Sequence, residues 1–423
     1  MRVDDLPLPP IPLNDVPMLA HWPVRPVIAL ETFQPDDLWD DDSLLEWDAA
    51  ELVWDNVWRD ATCDFTGCEI DTGVPDESGL FPASRCVVQL DNADGRWSNI
   101  NPDGTVSHIG PGSVMQVWAH NDEGDWWLFT GTVSRYDQRA DDTVEIEAFD
   151  SFSDLAQPIG TFTPGSNGQK PGVRLDAILT AAGEQLLPHR FATGTVTLTA
   201  QASDQAPLEE MQTVIQSDGG VLFVDADGTI LSFDRLWRQG RTDQVTIPNI
   251  SDNVCTAEFI VWEPLISTND EGLADRVILE NVALLKATAG AAKGYTVTLS
   301  EQQWTLIEEG NVLAALMLTD QSKRRLAVEE FDLYLLDPKQ PDIWRAVDWR
   351  QLDRLRFVHD YMTASGTVRV DASVLLTSIV HSITPEGWTL SGGTSKALAF
   401  EQPVFYDSGE LYDETPTPEE YGF

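Results

Sequence analysis

Val87-Val88-Gln89-Leu90-Asp91-Asn92-Ala93-Asp94-Gly95-Arg96-Trp97 is the stretch that decides the fold of this chain. Its first four residues are typical of a β-strand, and the polar residues after them include a glycine, which supplies the positive φ of a tight turn. Further apolar runs follow at residues 114–118, 127–133 and 144–149. Residues 85–155 therefore predict a series of antiparallel strands joined by turns.

The last of these runs shows the clearest alternation. Val144, Ile146 and Ala148 fall on one face of the predicted strand, and glutamates fall on the other. Residues 92–95 and 121–124 are predicted to be turns between strands. Taken together, residues 61–156 predict an antiparallel barrel or sandwich.

The composition is that of a folded protein with more than one domain. The chain has 423 residues, which is too long for one ordinary core. Apolar residues make up 42% and charged residues 23%, a balance typical of globular proteins and not of disordered ones. The sequence shows no signal segment and no run of the ~20 apolar residues that a membrane helix needs, so we expect synthesis in a cytoplasm.

The formal net charge is -44, from 70 acidic and 26 basic side chains. Such a surface repels phosphate, which argues against ordinary DNA or RNA binding. Two interpretations of the charge stay open. The acidic faces could line a passage through which DNA slides without sticking, or they could be spread over every outer face as an adaptation for solubility or high salt.

Few residues suggest a metal site or a disulfide framework. The four cysteines are Cys63, Cys68, Cys86 and Cys255, and their spacing favours buried free thiols over a zinc site or a bridge. The run 225–228 (Asp-Ala-Asp-Gly) resembles the start of a calcium loop, but position twelve of such a loop is Leu236 where a glutamate is needed. A hairpin turn is the favoured interpretation.

The sequence also gives no support to an enzyme. There is no Gly-x-Ser-x-Gly elbow, no phosphate-binding glycine loop, and the six histidines show no paired spacing on a helix. A carboxylate pair formed only in three dimensions stays open. We predict no catalytic residues, no metal and no cofactor.

Shifts in composition divide the chain into five predicted segments. Prolines interleaved with leucines indicate an extended arm, and helical spacing after Pro171 and after Pro207 indicates a small α/β unit. The segments are 1–26, a proline-rich extended arm; 27–157, a first β domain with a Trp-Asp stretch; 158–240, a linker and small α/β domain; 241–395, a second β domain; and 396–423, an acidic C-terminal tail.

The Trp-Asp stretch contains Trp39, Trp47, Trp54 and Trp58. Their steps of eight, seven and four residues do not keep one face of a helix, and the aspartates beside them indicate turns between short strands. Tryptophan buries a large area, so we predict that these residues pack at edge strands and interfaces. A sugar-binding aromatic array is the alternative.

The order of these pieces resembles the tail hub and minor tail proteins, also called baseplate hub-like proteins, of long-tailed bacteriophages or related archaeal tailed viruses. The resemblance covers most of residues 60–395 and rests on order and spacing, with pieces at 90–95, 128–133, 150–155, 175–183, 219–225 and 379–390. Ten residues within or beside these pieces are named here the signature residues: Leu90, Asn92, Asp94, Gly95, Phe129, Gly131, Val133, Asp150, Leu155 and Trp388.

The resemblance implies a mainly β protein with a small α/β insertion, in which the two β domains are tail-tube-like antiparallel barrels. It implies a homotrimer at the virion tail tip, assembled in the host cytoplasm. The tail tube or distal tail protein would lie above this hub, and tip, fibre or central spike proteins would lie below it. The hub would line or close the DNA ejection channel, letting DNA and the tape-measure protein pass without specific binding.

Two other functions stay open at this point. The tryptophans and carboxylates are compatible with a tail-tip protein that binds carbohydrate or hydrolyses cell wall, although the chain shows no appended lysozyme or peptidase segment. The charge alone is compatible with an acidic β-protein of a halophile. The sequence does not identify the host, the receptor, the neighbouring proteins or the acidic face that would line a channel.

Overall fold

The computed structural model describes residues 22–33, 56–73, 81–98, 110–163, 165–199, 203–235, 249–251, 259–260, 262–269, 274–291, 295–321, 325–363, 366–395 and 406–407. Most of the predicted arm and acidic tail, together with Trp39, Trp47 and Trp54, lie outside these residues.

The described residues are mostly β-strand, with a few helices. The strands are β1 (Arg25–Phe33), β2 (Asn56–Asp60), β3 (Phe65–Asp71), β4 (Arg85–Asp91), β5 (Val114–Asn121), β6 (Gly124–Gln138), β7 (Thr143–Phe149), β8 (His189–Phe191), β9 (Val221–Val224), β10 (Ile230–Phe233), β11 (Asn249–Ser251), β12 (Phe259–Ile260), β13 (Trp262–Asn269), β14 (Arg276–Asn281), β15 (Lys286–Gly290), β16 (Thr296–Gln302), β17 (Arg325–Tyr334), β18 (Arg354–Thr363), β19 (Gly366–Thr384), β20 (Gly387–Ser395) and β21 (Tyr406–Asp407). The helices are α1 (Ser151–Leu155), α2 (Pro171–Ala182), α3 (Pro207–Asp218) and α4 (Ile307–Gln321), with a 3-10 helix at Ile343–Asp348.

One large sheet contains strands from both predicted β domains. Its order is β2-β1-β5-β6-β7-β4-β3-β19-β18-β11-β12, and β20, β17 and β13 continue from the other side of β19. We call β1–β7 the first β block, and β11–β13 with β17–β21 and the 3-10 helix the second β block. The prediction of a mainly β protein with a small α/β part is confirmed.

The predicted closure of each block into a barrel is not seen in the pairing of the described strands. The reason is β3, which pairs with β4 on one side and with β19 on the other, where Ile383 lies opposite Cys68. This pairing joins the two blocks edge to edge into one open sheet. We call β3 the seam strand.

The alternation in β7 has the predicted effect, because Val144, Ile146 and Ala148 are all buried. They belong to a hydrophobic cluster that also includes Phe357 and Ile383 of the second block. The two β blocks therefore share one core, which covers the inner face of the large sheet. Burial of this apolar face is the main force that holds the blocks together.

A second hydrophobic cluster forms the α/β unit. Helix α2 begins at Pro171 and ends before Gly183, whose φ of 82° is the left-handed cap that glycine favours. The cluster includes Leu179 of α2 and Val214 of α3, and it also includes Leu279 and Leu313. Residues 274–321 lie within the predicted segment 241–395, yet their apolar side chains pack with α2 and α3. The other predicted domain limits stay predictions.

Among the described residues, no helix combines the length and the apolar character needed to cross a membrane.

Candidate functional site

The signature turn that follows β4 is closed by its own side chains. Asn92 is buried, its Oδ1 accepts a hydrogen bond from the Trp97 backbone at 2.7 Å, and its Nδ2 donates to Ser98 Oγ at 3.1 Å. Asp94 Oδ1 accepts from the Arg96 backbone at 3.0 Å. Gly95 has a φ of 77°, which a side chain would strain. Asn92, Asp94 and Gly95 therefore shape the chain into a turn.

The turn is tied to the rest of the first block through Trp97. Its indole is buried, and Nε1 donates a hydrogen bond to Asp64 Oδ2 at 2.6 Å. Arg96 forms an ion pair with the same carboxylate, and the Tyr136 hydroxyl donates to the Trp97 carbonyl. Burial raises the pKa of Tyr136, so this hydroxyl keeps its proton at neutral pH. Sequence reasoning did not identify Asp64 or Tyr136.

Gly131 of β6 lies where the end of β7 leaves no room for a side chain. A Cβ at this position would lie 2.3 Å from the Phe149 carbonyl oxygen and would also meet the Phe129 ring. Phe129 and Val133 on either side are buried in the shared core. The signature spacing at residues 129–133 thus permits a backbone contact that only glycine allows.

Asp150 connects the large sheet to the α/β unit. It caps α1, where its Oδ1 accepts from the Phe152 backbone at 2.9 Å, and its Oδ2 accepts from the Ser84 backbone at 2.7 Å. The side chain is 2% exposed, and this burial raises its pKa to about 6 although the hydrogen bonds act in the opposite direction. Leu155, at the end of α1, is buried in the α/β cluster.

Trp388 lies in the second β block next to a buried histidine. Its Nε1 donates a hydrogen bond to His381 Nδ1 at 3.2 Å, and both side chains are almost fully buried. Burial lowers the pKa of His381 to about 3, with a smaller effect from Arg350. The histidine is therefore neutral at physiological pH and can act as the acceptor that the indole needs.

A small cavity lies where the two β blocks and the α/β unit meet. Its volume is about 30 Å³, enough for a water molecule or two and too small for a cofactor or a sugar. Phe129 lines it from the first block, Asp150 from the cap of α1, Asp225 from the α/β unit, His381 from the second block, and Arg350 from the loop before β18. The signature residues Phe129 and Asp150 thus come together here with His381, the hydrogen-bond partner of Trp388. Asn92, Asp94 and Gly95 do not line the cavity.

The β9–β10 hairpin holds the α/β unit at this junction. Asp225 Oδ1 lies 3.6 Å from Arg350 Nε, and a Cβ added at Gly228 would lie only 3.2 Å from Thr130 Cγ2 of β6. Phe223 packs against Phe81 with ring centroids 5.8 Å apart. The predicted hairpin turn at residues 225–228 is present, and the Asp225 and Asp227 carboxylates accept backbone hydrogen bonds within it. Among the described residues, no cluster of three His, Cys, Asp or Glu side chains could hold a metal.

The exposed face of the first block carries paired charges. Glu147 of β7 accepts from Arg85 of β4 at 2.5 Å, and Glu145 pairs with Arg139. The glutamates predicted to point away from the core therefore have cationic neighbours. The negative electrostatic potential at this face is therefore weaker than the number of acidic residues alone would give.

Of the four predicted interface tryptophans, only the position of Trp58 is described. It lies in β2, where its backbone pairs with Glu31 of β1. The interface role of Trp39, Trp47, Trp54 and Trp58 stays a prediction.

No protein-family model matches the chain, and no curated protein is similar to it in sequence. Solved structures are similar in fold. The crystal structure of the tail protein from Neisseria meningitidis MC58 matches with a TM-score of 0.57 and 11% identity, covering 88% of this chain and 98% of that one. The 43 kDa tail protein of prophage MuSo2 from Shewanella oneidensis matches with a TM-score of 0.51 and 13% identity, covering 82% of this chain and 96% of that one. The resemblance to phage tail proteins is confirmed at the level of the fold.

Proposed function

We propose that this chain is a structural protein of a viral tail, and more narrowly a trimeric hub that joins the tail tube or distal tail protein to tip, fibre or central spike proteins. The single observation that carries the proposal is the likeness of fold to two tail proteins over 82–88% of this chain and nearly all of theirs. Such coverage includes both β blocks and the α/β unit, so the shared feature is the whole arrangement and not one common β motif.

Edge strands of the large sheet support assembly into a ring. Within the described residues, β2 pairs with β1 alone and β13 pairs with β17 alone. Unpaired strand edges are templates for pairing with another chain. Three copies with two β blocks each would give six similar blocks around a threefold axis, which suits a ring that continues a tube.

The charge supports passage of DNA without binding. A net charge of -44 repels phosphate at any surface where the acidic side chains are unpaired. A channel wall of this kind would let DNA and a tape-measure protein move past at low friction. In this proposal the protein belongs to the virion tail tip and is assembled in the host cytoplasm.

A structural role also fits the buried titratable groups. Asp150 and His381 face a cavity too small for a substrate, and both make hydrogen bonds that hold the fold. A general acid or base must reach a substrate proton, and neither side chain is exposed enough to do so. We therefore propose that the chain is not an enzyme.

Light scattering coupled to size-exclusion chromatography tests the trimer. At physiological salt, we expect a species with three times the chain mass of 46.9 kDa. The fraction of the protein in this species should increase with protein concentration. The same run in molar salt is the control for the halophile alternative. A chain that is monomeric at every concentration and folds only in molar salt would contradict the proposal of a trimeric hub and favour the halophile alternative.

A further inference from the structure

Two buried cysteines face each other across the seam strand and its neighbour. Cys68 of β3 and Cys86 of β4 have their Sγ atoms 4.0 Å apart. In the ladder, Cys68 lies opposite Val88 and Cys86 lies opposite Ile70, so the two side chains are diagonal neighbours on one face. Both belong to the shared core, with Cys68 at 4% and Cys86 at 0% exposure. Cys63, by contrast, is exposed.

The separation is short enough for a covalent bond after a small adjustment. A disulfide needs sulfurs about 2.05 Å apart, so rotation of the two side chains must bring them about 2 Å closer. The strands already hold the sulfurs on the same face, but diagonal neighbours in a sheet are usually about 7–8 Å apart, so β3 and β4 must also move slightly closer together at this point. Once one of the two sulfurs is oxidised, the other is close enough to attack it, and the burial of both side chains keeps larger thiols from solution away.

We propose that Cys68 and Cys86 form an oxidation site, at which a peroxide converts the two thiols into a disulfide between β3 and β4. The thiolate of Cys68 attacks one peroxide oxygen, the O–O bond breaks, and the hydroxide that leaves takes up the thiol proton as water. The Cys86 sulfur then attacks the sulfenic sulfur of Cys68, the S–O bond breaks, and a second water leaves with the Cys86 proton. Two thiols and one hydrogen peroxide give one disulfide and two waters.

The two cysteines have different roles because their surroundings differ. Burial raises the pKa of the Cys86 thiol, and its hydrogen bond to Cys68 acts in the same direction. Cys86 is therefore the poorer first nucleophile, since the thiolate is the reactive form. Cys68 retains slight exposure whereas Cys86 has none, so Cys68 is the more accessible of the two to a small oxidant such as hydrogen peroxide. Cys68 reacts first and Cys86 resolves the intermediate.

The disulfide would stabilise the large sheet at the seam strand, where the two β blocks are paired. The seam strand pairs with β4 and with β19, so a link from β3 to β4 fixes the strand that both blocks share. If the proposed function is right, the thiols are reduced during assembly in a cell and meet oxidants only once the particle is outside it. This biological setting rests on the proposed function, but the chemistry of the pair does not.

Peptide mass spectrometry of the full chain tests the proposal. In a Cys63→Ser, Cys255→Ser background, the folded protein is treated with hydrogen peroxide, denatured in the presence of an alkylating reagent, and digested with trypsin. We expect residues 60–85 and 86–96 to be joined, with the loss of two hydrogens, and the link to disappear after reduction. The thermal unfolding midpoint should rise on oxidation and return on reduction.

Single variants in the same background test the order of the reaction. With Cys86→Ser, Cys68 should be trapped as a sulfenic acid adduct by dimedone added with the denaturant. With Cys68→Ser, Cys86 should stay reduced under the same treatment. Circular dichroism checks that each variant is folded. Separate oxidation of both cysteines without a link, or two unreacted thiols in folded protein, would overturn the proposal and leave the trimer result unaffected.

Discussion

Asp150 is a buried carboxyl group whose ionisation affects the stability of the fold. Its two oxygens accept hydrogen bonds from the Ser84 and Phe152 backbones, which join β4 to α1. Burial raises its pKa to about 6. Between about pH 4 and pH 6, the Asp150 carboxyl is therefore protonated in the folded chain and ionised in the unfolded chain. The stability that this group contributes is thus fully present below pH 4 and is lost as the pH rises through 6.

The Asp150→Asn variant removes this titration. We expect the free energy of unfolding of the wild type, relative to the variant, to fall by roughly 2–3 kcal/mol between pH 4 and pH 7. Urea unfolding at a series of pH values measures the difference, and all other acidic groups cancel in the comparison. A difference that is the same at every pH would show that Asp150 has an ordinary pKa.

Gly131 gives a second prediction at this scale. Gly131→Ala places a Cβ 2.3 Å from the Phe149 carbonyl oxygen, and the backbone of two paired strands must move to relieve the clash. We expect a loss of about 1–3 kcal/mol in the free energy of unfolding, measured by urea denaturation. Gly110→Ala is the matched control, because nothing lies within 4 Å of a Cβ at that position. Equal stability of the two variants would contradict the account.

Local sequence predicted single residues only where local contacts decide their structure. The turn at Asn92 and Gly95 was predictable because its hydrogen bonds lie within a few residues. Asp64 and Tyr136 were not, since their bonds to Trp97 cross 33 and 39 residues. No periodic or turn signal marks a residue whose partner is set by the folding of other strands.

At the scale of elements, Gln303 holds the α/β unit together. Its Oε1 accepts from Arg174 Nη1 of α2 at 3.2 Å, and its Nε2 donates to Glu210 Oε1 of α3 at 2.6 Å. All three side chains are fully buried. The amide thus connects a buried cation to a buried anion that are not themselves in an ion pair.

Gln303→Leu keeps the volume of the side chain and removes both hydrogen bonds. We expect a loss of about 2–4 kcal/mol in the free energy of unfolding, because Arg174 and Glu210 each lose a partner in the core. Gln185→Leu on the exposed surface is the control and should change stability by less than about 0.5 kcal/mol. Chemical denaturation of both variants measures the effect. A Gln303→Leu variant as stable as the control would mean that water replaces the amide.

The predicted elements were most accurate where start and stop signals are strong. Pro171 and Gly183 bound α2 close to the predicted limits, and the alternation of Val144, Ile146 and Ala148 gave β7. The position of β14–β16 was not predictable in the same way. Their alternation indicates strands, but only the apolar faces of α2, α3 and α4 decide that they form a separate small sheet.

At the scale of the whole molecule, the shared core has a consequence for unfolding. Leu90 of the first block and Phe357 of the second lie in one hydrophobic cluster, and the α/β unit has a cluster of its own. Two blocks with one core and a shared seam strand should unfold together. The sequence predicted two β domains; their fusion depends on pairing between residues more than 300 positions apart, which no local pattern encodes.

Hydrogen exchange tests this coupling. Leu90→Ala removes buried volume in the first block and should cost about 2–5 kcal/mol in the free energy of unfolding. We expect exchange to increase in β17–β20 as much as in β4–β7, although the substitution is in the first block. Val214→Ala in α3 is the control, and its effect should be confined to the α/β unit. Faster exchange in β4–β7 alone after Leu90→Ala would show independent blocks.

Electron cryo-microscopy of the purified full-length chain tests the central claim, that the chain is a trimeric tail hub, most directly. We expect particles with threefold symmetry, six β blocks around a central channel, and acidic side chains along the channel wall. Single copies, or a closed dimer without a channel, would contradict it.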